Sequence, residues 1–291
     1  MNLFENLRQT FLQGNAVIRL IYLNVAVYLL LQITVVVLKL FTLDGSFVFT
    51  YLALPSSLEM LMYRPWTLLT YMFLHQDFFH ILFNMLALYW FGRLFLSYFN
   101  EKQLFGLYVV GGLSAGLLYM IAYNVFPLFA GSSAVLMGAS GSIMAVILAV
   151  AAYSPNVEMR FMLLGNLKLK YIALAVVLIS FFGITSRNAG GEIAHLGGAL
   201  YGYFFIVSLR HGKDSTRAVN RIIDFFVNIF RRRKLKVSKS PKNKKMTDEE
   251  FNMHKANNLE EINRILDKIK ASGYSSLTET EKKKLFEQSK K

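Results

Sequence analysis

The chain has no cysteine, which excludes disulfides, thiolate nucleophiles and cysteine-ligated metals. Charge is scarce as well. Asp, Glu, Lys and Arg make up 17 % of the 291 residues, while 54 % are hydrophobic; a soluble domain carries about 25 % charge. No His-Glu-x-x-His sequence is present, so the zinc-hydrolase pattern is missing. No pair of aspartates falls within the apolar segments. Gly111-Gly112…Gly116 sits inside an apolar run and reads as packing rather than a phosphate loop. No cofactor and no metal are therefore expected. A cleavable signal peptide is not expected either: no basic cluster precedes the first apolar run, and no small-residue cleavage site follows it.

What the chain does have is apolar helix-length runs, and these point to an all-α polytopic membrane protein. Six spans are expected, at about 16–41, 79–98, 104–126, 137–153, 169–186 and 193–209. Several fall short of the roughly 20 residues of a full crossing, as expected of helices buried among neighbours that begin in a water-accessible cavity. Residues 1–14 have helical apolar spacing and read as an interfacial amphipathic helix. The six-helix domain covers 15–210. Within it, residues 43–78 are long, aromatic and semi-apolar, and are expected to lie partly in the outer leaflet with Trp66 as an interface anchor.

The net charge of +14 is local. Residues 210–245 hold 13 Lys/Arg against 2 acids, whereas 246–291 hold 9 of each. Ile222, Ile223, Phe225, Phe226, Ile229 and Phe230 crowd one side of a helix ending in Arg231-Arg232-Arg233-Lys234. Such a segment is expected to hold anionic lipid headgroups, not nucleic acid. Residues 211–245 thus read as a basic membrane-surface segment and linker. Residues 246–291 read as a small helical hairpin, capped by Thr247 with Glu250 and by Thr278 with Glu281, whose partner is unknown. Loop charge places both termini in the cytoplasm, in a membrane of the bacterial cytoplasmic (inner) type. Spans two, four and six then run the same way.

Polar residues interrupt those three spans at matching depth. Ser140 is thirteen steps from Tyr153, His80 thirteen from Arg93, and His195 fifteen from Arg210, or roughly 20–22 Å of helix in a hydrocarbon core about 30 Å thick. A serine and a histidine would meet about 8–10 Å below one surface. Intramembrane polar groups are functional candidates by default, and a serine facing a histidine suffices for acyl transfer. Asn84, four residues after His80, projects from the same helix face. A His80–Asn84 pair with the Ser140 N–H would supply donors to a tetrahedral oxyanion; the plain alternative is interhelical hydrogen-bond glue. Gly138 and Gly141 flank the serine, for close approach or for packing. Gly198 and Gly202 form a small-residue stripe that lets helices touch. His75 reads as a loop hydrogen-bonder. Glu192, three before His195, could reach it, but an acid at a helix start is ordinarily a dipole partner.

His80-x-x-x-Asn84, Gly138-x-Ser140-Gly141 and Ala194-His195-x-x-Gly198-x-x-x-Gly202 resemble the three signatures of the rhomboid intramembrane serine proteases, in their order and on spans two, four and six. The resemblance covers about residues 15–210. It implies a six-transmembrane-helix bundle with Ser140 as nucleophile and His195 as general base, a dyad without an acid. It also implies an oxyanion site from His80, Asn84 and the Ser140 amide, with transmembrane segments of other proteins as substrates. Arg64-Pro65-Trp66 stands near a Trp-Arg pair of many relatives, and Met144 where some have an aromatic residue on the histidine. The competing class is a non-catalytic client binder or transporter using the same polar cavity.

Overall fold

Apolar runs bounded by capping side chains set the helices, and the computed structural model describes residues 3–161, 165–230 and 248–288. The chain divides into two units, Met1–Arg232 and Arg233–Lys291. The first begins with α1 (Leu3–Gln13) and α2 (Ala16–Leu40); the Asn15 side chain caps α2 by accepting from the Ile18 N–H at 3.2 Å. A folded connection follows, made of α3 (Ser46–Leu52), β1 (Leu54–Pro55), α4 (Leu58–Tyr63) and α5 (Thr67–Thr70). Asp77 caps α6 (Phe78–Leu96), and Asn100 with Gln103 forms a capping box on α7 (Glu101–Val125). Then come β2 (Val135–Leu136), α8 (Ser140–Tyr153), β3 (Glu158–Phe161), β4 (Gly165–Lys168), α9 (Leu169–Phe182), α10 (Ala189–Arg210) and α11 (Arg217–Phe230).

Among the described residues α2, α6, α7 and α10 are long and apolar enough to cross a membrane, while α8 and α9 are shorter apolar helices. Together they make an all-α, multi-pass membrane protein. The apolar segment expected over 137–153 is helical only from Ser140. Upstream of it, β2 pairs antiparallel with β1, Leu54 opposite Leu136 and Pro55 opposite Val135. The helix of the sixth expected span, α10, starts at Ala189, four residues earlier than expected. The connection after α8 carries the β3–β4 hairpin.

Burial divides the helices by role. α10 packs most heavily on α8 and α7, and nearly every residue from Gly141 to Ala151 is buried. α2 and α9 instead expose large apolar side chains, among them Leu30, Ile33, Ile179 and Phe182. A surface of that kind suits lipid and not water. Polar atoms tie the periphery to the centre: Asn24 Nδ2 donates to Tyr108 OH at 3.2 Å, and Tyr108 OH donates to Met72 O at 3.1 Å. Such bonds substitute for water that hydrocarbon does not supply.

The 43–78 connection holds its own structure. Tyr71, Met72 and Leu74 are fully buried, and Tyr71 OH donates to Gly112 O at 2.5 Å. Trp66 packs on Tyr51, 5.1 Å between ring centroids, and donates Nε1–H to the Tyr51 carbonyl at 3.2 Å.

α11 is docked on the bundle rather than hanging from it. Thr216 is fully buried beside Gly106, and Lys102 Nζ meets Asp224 at 2.6 Å. The basic cluster, the linker and the Thr247 cap lie at 231–247, outside the described residues. The second unit is a hairpin of α12 (Asp248–Ser272) and α13 (Glu279–Gln288). Gly273 turns it at φ +76°, a left-handed conformation that favours glycine. Thr278 and Glu281 cap α13, with the Thr278 N–H donating to Glu281 Oε2 at 2.7 Å, and Lys268 meets the same carboxylate at 3.0 Å.

Candidate functional site

Ser140 is the first residue of α8, and the opening N–H groups of a helix have no acceptor within it. The residue two before it, Gly138, has φ +128°, and its N–H donates to the Tyr71 carbonyl at 2.9 Å. A β-carbon there would come within 2.9 Å of His80 Nε2. Glycine at 138 therefore answers two demands, a positive φ and the approach of an imidazole.

His195, on the second turn of α10, lies across from the serine. Its Nε2 is 2.8 Å from Ser140 Oγ. With Nε2 accepting the serine proton, Nδ1 carries the ring hydrogen and has two acceptors: Ser180 Oγ at 3.1 Å and Glu192 Oε2 at 3.3 Å. Glu192 thus turns towards the imidazole, not only towards the amides at the start of α10.

His80 and Asn84 line the same cavity as Ser140 and His195, a space of about 690 Å³ that also borders Gln76 and Arg187. Asn84 is buried and its Nδ2 has no hydrogen-bond partner. A buried amide donor left unpaired is costly, and the residue that carries it lines the cavity. His75 departs from the expectation of a loop hydrogen-bonder. It is fully buried, neither ring nitrogen makes a well-formed hydrogen bond, and its ring meets His80 edge-on at 5.0 Å between centroids. Burial of its side chain removes the solvent that a surface histidine would use.

The small residues allow this convergence. A β-carbon on Gly198 would fall on the Gly141 carbonyl oxygen, and one on Gly202 on that of Ala145. Gly141 itself faces Ala115 of α7, with a β-carbon there 2.5 Å from the alanine methyl. Met144 is buried on α8.

Ser180 was not singled out by its sequence. A lone hydroxyl in the run Ala173–Phe182 was its one visible signal, and membrane helices carry such hydroxyls for packing too. Arg187, exposed at the cavity rim, had only its position before α10 to mark it.

Comparison with known proteins adds a separate line. The family model described as a rhomboid domain matches residues 63–212, and residues 245–291 match a family of unknown function, DUF6576. Presenilin-associated rhomboid-like protein A, mitochondrial, of Danio rerio is 30 % identical over 141 residues, covering 46 % of this chain and 35 % of that protein. RHOMBOID-like protein 12, mitochondrial, of Arabidopsis thaliana is 28 % identical over 161 residues, covering 52 % of this chain and 48 % of its own length. The chain therefore spans between about a third and a half of the curated relatives it matches.

Proposed function

This chain belongs to the rhomboid family, and we propose that it is an intramembrane serine endopeptidase that hydrolyses peptide bonds in or near transmembrane segments. The observation that carries the reading is the 2.8 Å contact between Ser140 Oγ and His195 Nε2 inside an apolar bundle. In this reading His195 takes the Ser140 proton as Oγ attacks the scissile carbonyl carbon. The carbonyl electrons move onto oxygen, and the oxyanion receives hydrogen bonds from the Ser140 N–H, Asn84 Nδ2 and the His80 ring. His195 then returns the proton to the leaving amine, and water hydrolyses the acyl-enzyme by the same steps in reverse order. The unpaired Asn84 Nδ2 supports the oxyanion assignment. Gly138, Gly141, Gly198 and Gly202 act by packing.

The short helix α8 supports a six-span topology, in which the active-site opening faces the side away from both termini. The aromatic 43–78 connection then lies in the outer leaflet, and α11 with the following basic segment rests on anionic headgroups of the other leaflet. Both relatives carry mitochondrial names, so they lend no support to a bacterial membrane.

The test is fluorophosphonate labelling of the purified protein together with cleavage of a transmembrane reporter. Wild type should label and cleave, and Ser140→Ala and His195→Ala should do neither while unfolding at the wild-type temperature. Equal cleavage by all three would end the reading. Electrogenic flux in sealed vesicles without proteolysis would favour a transporter.

A further inference from the structure

A two-residue mechanism leaves one feature of the site unused. Glu192 Oε2 is 3.3 Å from His195 Nδ1, on the side of the ring away from Ser140. The two side chains are only 17 % and 22 % exposed. Ser180, itself 2 % exposed, shares the same ring nitrogen through its Oγ at 3.1 Å. The end of α9 makes room for this acid. A β-carbon on Gly183 would come within 2.8 Å of Glu192 Cγ and 2.9 Å of Cδ, so glycine at 183 permits the carboxylate to lie where it does.

An acid in the first turn of a helix can stabilise the helix dipole from many rotamers. Only a rotamer aimed along the helix brings it to a ring three residues on. Here that rotamer is taken, a hydroxyl from a second helix meets the same ring nitrogen, and a glycine from that helix end clears the path of the acid. Resting on the hydrolase reading above, we propose that Glu192 is a positioning residue for the general base, completing a Ser140–His195–Glu192 relay with Ser180 as its brace. Glu192 accepts the Nδ1–H of His195, which fixes the tautomer with Nε2 free to take the Ser140 proton. When that proton moves from Oγ to Nε2, the carboxylate stabilises the imidazolium and remains ionised itself. The leaving amine later takes the same proton, so none passes to Glu192.

The groups facing His195 set the controls. α8 presents the Ser140 hydroxyl, α9 the Ser180 hydroxyl, α10 the Glu192 carboxylate and α6 the His80 ring. Glu192 is the one anion in that set, so neutralising it changes the charge on His195 without touching the nucleophile or the oxyanion donors.

The experiment measures kcat, KM and fluorophosphonate labelling rate from pH 5 to 9 on the full chain in proteoliposomes. It compares wild type with Glu192→Gln, Glu192→Asp and Gly183→Ala. Glutamine keeps the shape and one acceptor but not the charge. Its plateau kcat should fall about 10- to 100-fold, within the range of general-base effects, with KM little changed. The acidic limb of its pH profile should be displaced from that of wild type, since the charge facing the base has been removed. Glu192→Asp should recover part of both changes. Gly183→Ala, which displaces the carboxylate at constant charge, should move the limb in the same direction as Glu192→Gln and serves as the decisive variant if Glu192→Gln does not fold. A Glu192→Gln profile superimposable on wild type would overturn the proposal. So would a uniform loss with an unmoved limb, the signature of a purely structural acid. Ser140→Ala and His195→Ala run alongside: activity in those variants would sink the hydrolase reading, whereas silence there with an unaltered Glu192→Gln sinks only the relay.

Discussion

Gly198 of α10 rests on the Gly141 carbonyl of α8 so closely that a β-carbon at 198 would overlap the oxygen. The two helices therefore touch backbone to backbone beside the Ser140–His195 hydrogen bond, and that bond depends on the contact. Gly198→Val should separate them. Overpacking of this kind costs about 1–3 kcal/mol, so thermal unfolding in detergent should shift downwards and reporter cleavage should be lost. A variant with wild-type stability and activity would show that the contact is not required.

Asn84 lines the cavity and carries a buried, unpaired Nδ2. Removing one oxyanion donor typically lowers kcat by about 10²–10³-fold. Asn84→Ala should show such a drop with KM nearly unchanged, because the donor is engaged in the transition state and not in the ground state. Steady-state kinetics on a transmembrane reporter separate the two constants, and a loss residing wholly in KM would contradict the role.

Activity should fall as pH drops from 8 to 5. The sign follows from the role of His195: a base that has already taken a proton cannot accept the one on Ser140. A profile flat over that range would count against His195 as the base.

Loss of the C-terminal part should have a graded effect. Ending the chain after Arg232 removes the second unit and should leave cleavage within about two-fold of wild type, a surface-type effect. Ending it after Gly212 also removes Thr216 from its seat against Gly106 and Asp224 from Lys102. The shorter protein should unfold at a lower temperature, and equal melting of the two truncations would refute the docking of α11.

The hairpin has its own pH limit. Hydrogen bonding from the Thr278 backbone, with Lys268 and the Thr278 hydroxyl, lowers the Glu281 carboxyl to about 2. A depressed carboxyl contributes its stability above its ordinary range and loses it as pH falls through the folded value. Amide protection at the start of α13 should decline between about pH 4.5 and 2, and Glu281→Gln should remove that dependence. Hydrogen exchange on the full chain reads this directly, and unchanged protection at pH 2 would contradict it.

Much of the bundle was legible because hydrocarbon leaves few choices. A run such as Ala16–Leu40 has no soluble role that suits it, and Ser140, His80 and His195 stand out against apolar neighbours. The pairing of Leu54 with Leu136 was not legible, since two residues on each side carry no period and the partner is 82 positions away. The β3–β4 hairpin was hidden for a similar reason: four residues of mixed polarity resemble any charged loop. Glu192 could be seen but not interpreted. Its place three before His195 satisfies both a helix start and a contact with the ring, and only the rotamer chosen beneath Gly183 separates the two.

The fourteen residues of α8 amount to about 21 Å, several ångströms less than a typical hydrocarbon core. Where such a helix meets lipid of ordinary thickness, mismatch must be relieved by thinning the bilayer or by sinking the helix end. Acyl-chain length therefore sets how far Ser140 stands from bulk water, and the same polypeptide should turn over faster in short-chain than in long-chain phospholipid.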